Sequence, residues 1–123
     1  DSNFLSQYRL PGDFAPIGSF TLIDDVVRRA RENKVAVHVG NVASVDAFYN
    51  HDETVNQRWA SMGVLAVEME TAGLYAVAAE AGAEALGIFT VSDNVVTGAE
   101  TTPEERQSAF TQMMELALPL AAL

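Results

Sequence analysis

Hydrophobic and polar positions change period several times along this chain, and each change marks an element. From Thr21 the apolar residues Leu22, Ile23, Val26 and Val27 fall on one face, with Asp24, Asp25, Arg28, Arg29 and Arg31 mostly opposite. That is the pattern of an amphipathic helix. Its acids come early and its bases late, as the helix dipole favours, and Asn33 and Lys34 close it. The β-branched content of residues 35–42 then predicts a strand. A loop over 43–50 carries Phe48 and Tyr49 together, and residues 53–62 predict a short helix with Val55, Trp59 and Met62 inward, ended by Gly63.

Residues 64–67 read as a brief apolar strand running straight into Glu68-Met69-Glu70. The alanine-rich stretch 71–81 predicts a close-packed helix stopped by Gly82. Residues 85–91 form an apolar run that predicts a buried strand, and the pattern breaks at Ser92-Asp93. After a polar loop, Thr102-Pro103-Glu104-Glu105-Arg106 announces the last helix: Thr102 caps it, Pro103 suits its first position and Glu105 completes a capping box. That helix is expected to reach about Leu118, with Pro119 stopping or bending it. Residues 1–20 hold two prolines and two glycines without a sustained period and are expected to be irregular. Helices alternating with strands argue for an α/β layer fold with a mixed, largely parallel central sheet, and residues 1–123 are expected to form one domain.

Composition narrows the partners. Seventeen acidic against seven basic residues give a net charge of −10, which a nucleic-acid backbone or an anionic membrane surface would repel. Hydrophobic residues make up 49% of the 123, enough for an ordinary core. There is no cysteine, so disulfides and thiolate chemistry are both excluded. No apolar run approaches bilayer length and the start has no signal-peptide pattern, so a cytoplasmic protein is expected. His51-Asp52-Glu53 lacks a second cluster with metal-ligand spacing, which argues against a metal site, and His38 within a strand reads as structural. Arg28-Arg29-Ala30-Arg31 reads as a solvated helix face.

In a parallel sheet the carboxyl ends of the strands share one edge, so Phe48-Tyr49, Glu68-Met69-Glu70 and Ser92-Asp93 would face one crevice. Spacing alone leaves each with two roles. Glu68 and Glu70 fit a pocket or a pair of solvated charges opening a helix, and two residues apart they cannot share a helix face. Phe48 and Tyr49 fit a ligand platform or a core or lid. Asp93 fits an acid or a turn cap.

Together Val67-Glu68-Met69-Glu70-Thr71-Ala72-Gly73, Val91-Ser92-Asp93, Thr101-Thr102-Pro103-Glu104-Glu105-Arg106-Gln107 and Ser44-Val45-Asp46-Ala47-Phe48-Tyr49 resemble the bacterial hexameric purine nucleoside phosphorylases. The resemblance covers the whole chain but only the second half of a family member, so 1–123 is expected to be the C-terminal part of a phosphorylase domain. It implies phosphorolysis of the N-glycosidic bond of purine nucleosides, with inorganic phosphate as co-substrate, no cofactor, and a hexamer built as a trimer of dimers. It implies roles as well. Asp93 matches the general acid toward N7 of the purine, and Arg106 the arginine that moves in to assist. Phe48 matches the aromatic on the base, Val67 and Glu68 its neighbours in the base and sugar pocket, Met69 and Glu70 the residues that hold the ribose, and Ser92 a residue beside the acid. The family's phosphate-binding arginines and glycine have no counterpart in this stretch. Asn94 stands where many members carry histidine, which bears on purine preference. Two other readings remain: a methylthioadenosine or adenosylhomocysteine nucleosidase, which uses water in place of phosphate, and a purine-binding fragment with no activity of its own.

Overall fold

A computed structural model describes residues 3–122. The start Asp1-Ser2 and the last residue of the apolar tail, Leu123, lie outside the described residues. The chain divides into two compact units, one of Asp1–Gly18 with Gly40–Ala85 and one of Ser19–Val39 with Leu86–Leu123.

The first unit is built on a parallel pair of strands, β1 (Val42–Ser44) and β2 (Ala66–Glu68), in the register Val42 to Ala66, Ala43 to Val67 and Ser44 to Glu68. Backbone bonds from Leu65 N–H to the Asn41 carbonyl (2.8 Å) and from Val45 N–H to the Glu68 carbonyl (2.9 Å) continue the pairing at both ends. Parallel strands require a crossover, and here it carries α2 (Val55–Ser61). Helix α3 (Thr71–Ala81) follows β2 after one turn and buries Thr71, Ala72 and Ala76. It stops at Gly82, whose φ of 64° lies in the left-handed region that glycine adopts without strain, and Ala83 N–H returns to the Ala78 carbonyl at 2.8 Å. A 3-10 helix over Asn3–Tyr8 packs on α3. The Phe4 ring packs over Gly73, 3.5 Å from where a Cβ would stand, an ordinary van der Waals distance.

The second unit joins α1 (Phe20–Glu32) to α4 (Pro103–Ala117), with Val26, Ala30 and Leu116 buried. Ser19 caps α1 by accepting the Leu22 N–H, and Asp25 pairs with Arg28 and, at 2.7 Å, with Arg29. The Arg29 bond holds the Asp25 carboxyl below its usual range, partial burial opposing and Arg28 adding to the effect. Lys34, at φ 57°, takes the left-handed position that ends α1 and lets Val35 N–H reach the Ala30 carbonyl at 2.8 Å. Helix α4 opens with the expected capping box: Glu105 N–H donates to Thr102 Oγ1 (3.1 Å), and Thr102 N–H donates to Glu105 Oε2 (2.8 Å). It gives way at Leu118–Ala122 to a 3-10 helix that contains Pro119.

The structure corrects three elements. The strand expected over 35–42 forms only from Val42, running to Ser44, and the strand expected over 85–91 forms no ladder among the described residues. Both stretches have strand-like composition, but a strand exists only where a neighbour accepts its backbone bonds. Among the described residues only β1 and β2 supply that to each other. The third correction is in residues 1–20, which are not wholly irregular, because Asn3–Tyr8 coils into the 3-10 helix. The α/β class and the parallel pairing hold. No helix among the described residues is long and apolar enough to cross a membrane.

Candidate functional site

Parallel pairing makes β1 and β2 end on the same edge of the sheet, so the residues after Ser44 and after Glu68 leave side by side. At that edge Glu68 is the organising side chain. One carboxylate oxygen accepts the Ser44 hydroxyl; the other accepts Glu70 N–H, Thr71 N–H and the Thr71 hydroxyl, each at 2.7 Å. Ser44 Oγ in turn accepts the Ala72 N–H at 2.9 Å. The first amides of α3 are thereby satisfied by side chains from both strands. Burial by itself would raise the Glu68 pKa, but the bonds from Ser44, Thr71 and the Glu70 backbone outweigh it and hold this carboxyl below the ordinary glutamate value.

Glu70, two residues on, behaves differently. Its N–H is held by Glu68, while its exposed carboxylate has no hydrogen-bond partner among the described residues. The two glutamates therefore split, one inward and one outward, as their spacing requires. Met69 beside it is exposed, and Val67 is half-buried opposite Ala43. Phe48 lies four residues beyond the end of β1 and is exposed, with its ring edge-to-face with Tyr49 at 5.4 Å. Asp46, in the same loop, is tied down by the backbone and side-chain nitrogens of Asn3 at 2.8 and 2.7 Å.

In the second unit Ser92 and Asp93 follow the apolar stretch 86–91. Asp93 receives the Ser92 hydroxyl at 2.6 Å and forms an isolated antiparallel bridge with Glu100. The loop between them is closed upon itself. Asn94 N–H donates to the Ala99 carbonyl (2.7 Å), and the Asn94 side-chain oxygen accepts Val96 N–H (3.0 Å) and Thr97 N–H (2.9 Å). Thr101 anchors the exit by donating its hydroxyl (2.6 Å) and its N–H (3.0 Å) to the Ser92 carbonyl. Asn94, noted above for its bearing on purine preference, is thus also the residue that builds this turn. Arg106, in the first turn of α4, is exposed, and its guanidinium has no hydrogen-bond or ion-pair partner among the described residues.

The first unit carries Phe48 in the loop after β1 and Val67, Glu68, Met69 and Glu70 at the end of β2; the second carries Ser92 and Asp93 at the start of the turn and Arg106 in the first turn of α4. An exposed aromatic ring suits a flat base, and an unpaired carboxylate suits a polyhydroxyl group. A carboxyl supported by a neighbouring hydroxyl suits proton transfer to a group that gains negative charge. Two contributors escaped the sequence reading: Ser44 and Thr71, the partners of Glu68. The available signal was a threonine hydroxyl three residues after a glutamate at a helix start, the spacing at which a side-chain oxygen meets the first free amides.

The family model described as the phosphorylase superfamily matches residues 2–122, and the chain belongs to that superfamily. It is similar to the DeoD-type purine nucleoside phosphorylase of Myxococcus xanthus (strain DK1622), 51% identical over 98% of this chain and 51% of that protein. The protein of the same name from Alkaliphilus metalliredigens (strain QYMF) is 48% identical over 98% of this chain and 52% of its own length. That of Thermoanaerobacter sp. (strain X514) is 50% identical over 95% and 51%. The chain spans about half the length of the curated relatives it matches.

Proposed function

We propose that this chain is the C-terminal part of a purine nucleoside phosphorylase, which converts a purine ribonucleoside or deoxyribonucleoside and phosphate into free base and the pentose 1-phosphate. The observation that carries this is near-50% identity, over almost the whole chain, to relatives named as DeoD-type purine nucleoside phosphorylases. A phosphate oxygen bonds to C1′ as the C1′–N9 bond breaks. The electron pair goes to the purine, and Asp93 delivers its proton to N7, where the charge collects. A permanently close guanidinium would favour the ionised carboxylate and oppose donation, so Arg106 is assigned a role only once the purine is bound. Its lack of a partner in the described structure suits that order.

Phe48 and Val67 face the base in this reading, Met69 and Glu70 hold the ribose, Glu68 belongs to the same wall and Ser92 orients the acid. Glu70 accepts the ribose hydroxyls and complements positive charge developing on the sugar in the transition state. The co-substrate is inorganic phosphate and no cofactor takes part; its binding residues belong to the part of the phosphorylase domain that this chain does not span. A cytoplasmic hexamer arranged as a trimer of dimers completes the reading. The test is hypoxanthine release from inosine by the protein as encoded, with and without phosphate. Release that requires phosphate and yields ribose 1-phosphate is expected. Release without phosphate identifies a nucleosidase instead, and no release from inosine or adenosine overturns the assignment.

A further inference from the structure

We infer that Ser44, Glu68 and Thr71 are positioning residues that set where the Glu70 carboxylate stands against the ribose; this rests on the phosphorylase reading above. A carboxylate offers about four lone-pair sites. On Glu68 one oxygen takes three donors, the Thr71 hydroxyl and the backbone N–H groups of Glu70 and Thr71, and the other takes the Ser44 hydroxyl, so both oxygens are engaged in this joint. The bonds also join three elements at one point, since Ser44 ends β1, Glu68 ends β2 and Thr71 begins α3, with Ala72 N–H closing the loop back to Ser44. The backbone that carries Glu70 runs between the last two of these. Its N–H is fixed by Glu68 and its carbonyl accepts Leu74 N–H at 3.0 Å, so its main chain is held on both sides while its carboxylate stays unpaired among the described residues. A side chain free to bind on a backbone that is not free to move is what pre-organised recognition requires.

A helix cap alone would use the same bonds, and the sugar distinguishes the two roles. Ser44→Ala and Thr71→Val, made in the protein as encoded, remove one hydroxyl each with little change of shape. Each is expected to lower kcat/KM for inosine about tenfold or more, and for 2′-deoxyinosine several-fold less, because the deoxy sugar has one hydroxyl fewer for Glu70 to hold. Glu70→Gln is expected to shift the ribose-to-deoxyribose preference in the same direction. Thr71→Ser, which keeps the hydroxyl, is expected to return most of that preference. Equal losses on both sugars, or a preference that moves in Glu70→Gln but not in Ser44→Ala and Thr71→Val, would show a cap and nothing more. A wild-type protein that releases no base from either nucleoside would sink the phosphorylase reading itself, a result distinct from a failure of the positioning claim.

Discussion

The two units hold their candidate residues in different ways. In the first, a half-buried carboxylate accepts four hydrogen bonds and locks two strands to a helix, so the residues assigned to base and sugar leave from a fixed edge. In the second, Asp93 has a single side-chain partner, Ser92, and Arg106 has none among the described residues. The turn that carries Asp93 is tied by its own backbone, while its carboxylate is held far less than that of Glu68. On the proposed reading, recognition pays for order before the substrate arrives; a proton donor cannot be tied in the same way, because bonds that fix a carboxylate also stabilise its ionised form.

That contrast can be broken or sharpened by substitution. The largest expected effect is on turnover: Asp93→Asn should lower kcat for inosine phosphorolysis by about 10²–10⁴-fold, the range for loss of a general acid, measured as hypoxanthine release from the protein as encoded. A loss of less than tenfold would take the acid's role from Asp93. Smaller is the response to acid. Glu68 is held below the ordinary glutamate value, so its contribution to stability is complete above that value and is lost as the pH falls through the depressed folded value. Thermal unfolding between neutral pH and about pH 3 should therefore show a steeper decline for the wild type than for Glu68→Gln. Parallel declines would mean that the Glu68 bonds are not made in solution. Smallest is Lys34→Gly, which relieves a non-glycine residue at φ 57° and should raise stability by about 1 kcal/mol in denaturant titration.

The sequence was most informative where the determinant is local. Thr102-Pro103-Glu104-Glu105 contains every group of its capping box, and the box forms. Gly82 ends α3 because left-handed backbone favours glycine whatever surrounds it. Strands are not local. Residues 35–41 and 85–91 read as strands on composition and form none among the described residues, because a ladder depends on a neighbour that composition does not name. The site divides in the same way. The candidate residues were named from motif order, and the two-residue spacing of Glu68 and Glu70 said that they would part without saying which would face outward. The partnership of Ser44 with Glu68 was not legible, since it spans 24 positions and depends on the β1 to β2 register.

The most direct test of the difference between the two units is the unfolding free energy of Glu68→Ala against that of Asp93→Asn, measured by denaturant titration under identical conditions. Glu68→Ala strands donors from two strands and a helix and should cost about 2 kcal/mol, whereas Asp93→Asn, for which the large loss of turnover is expected, should stay within about 0.5 kcal/mol of the wild type. Equal destabilisation by the two, or a larger cost at Asp93, would contradict the account.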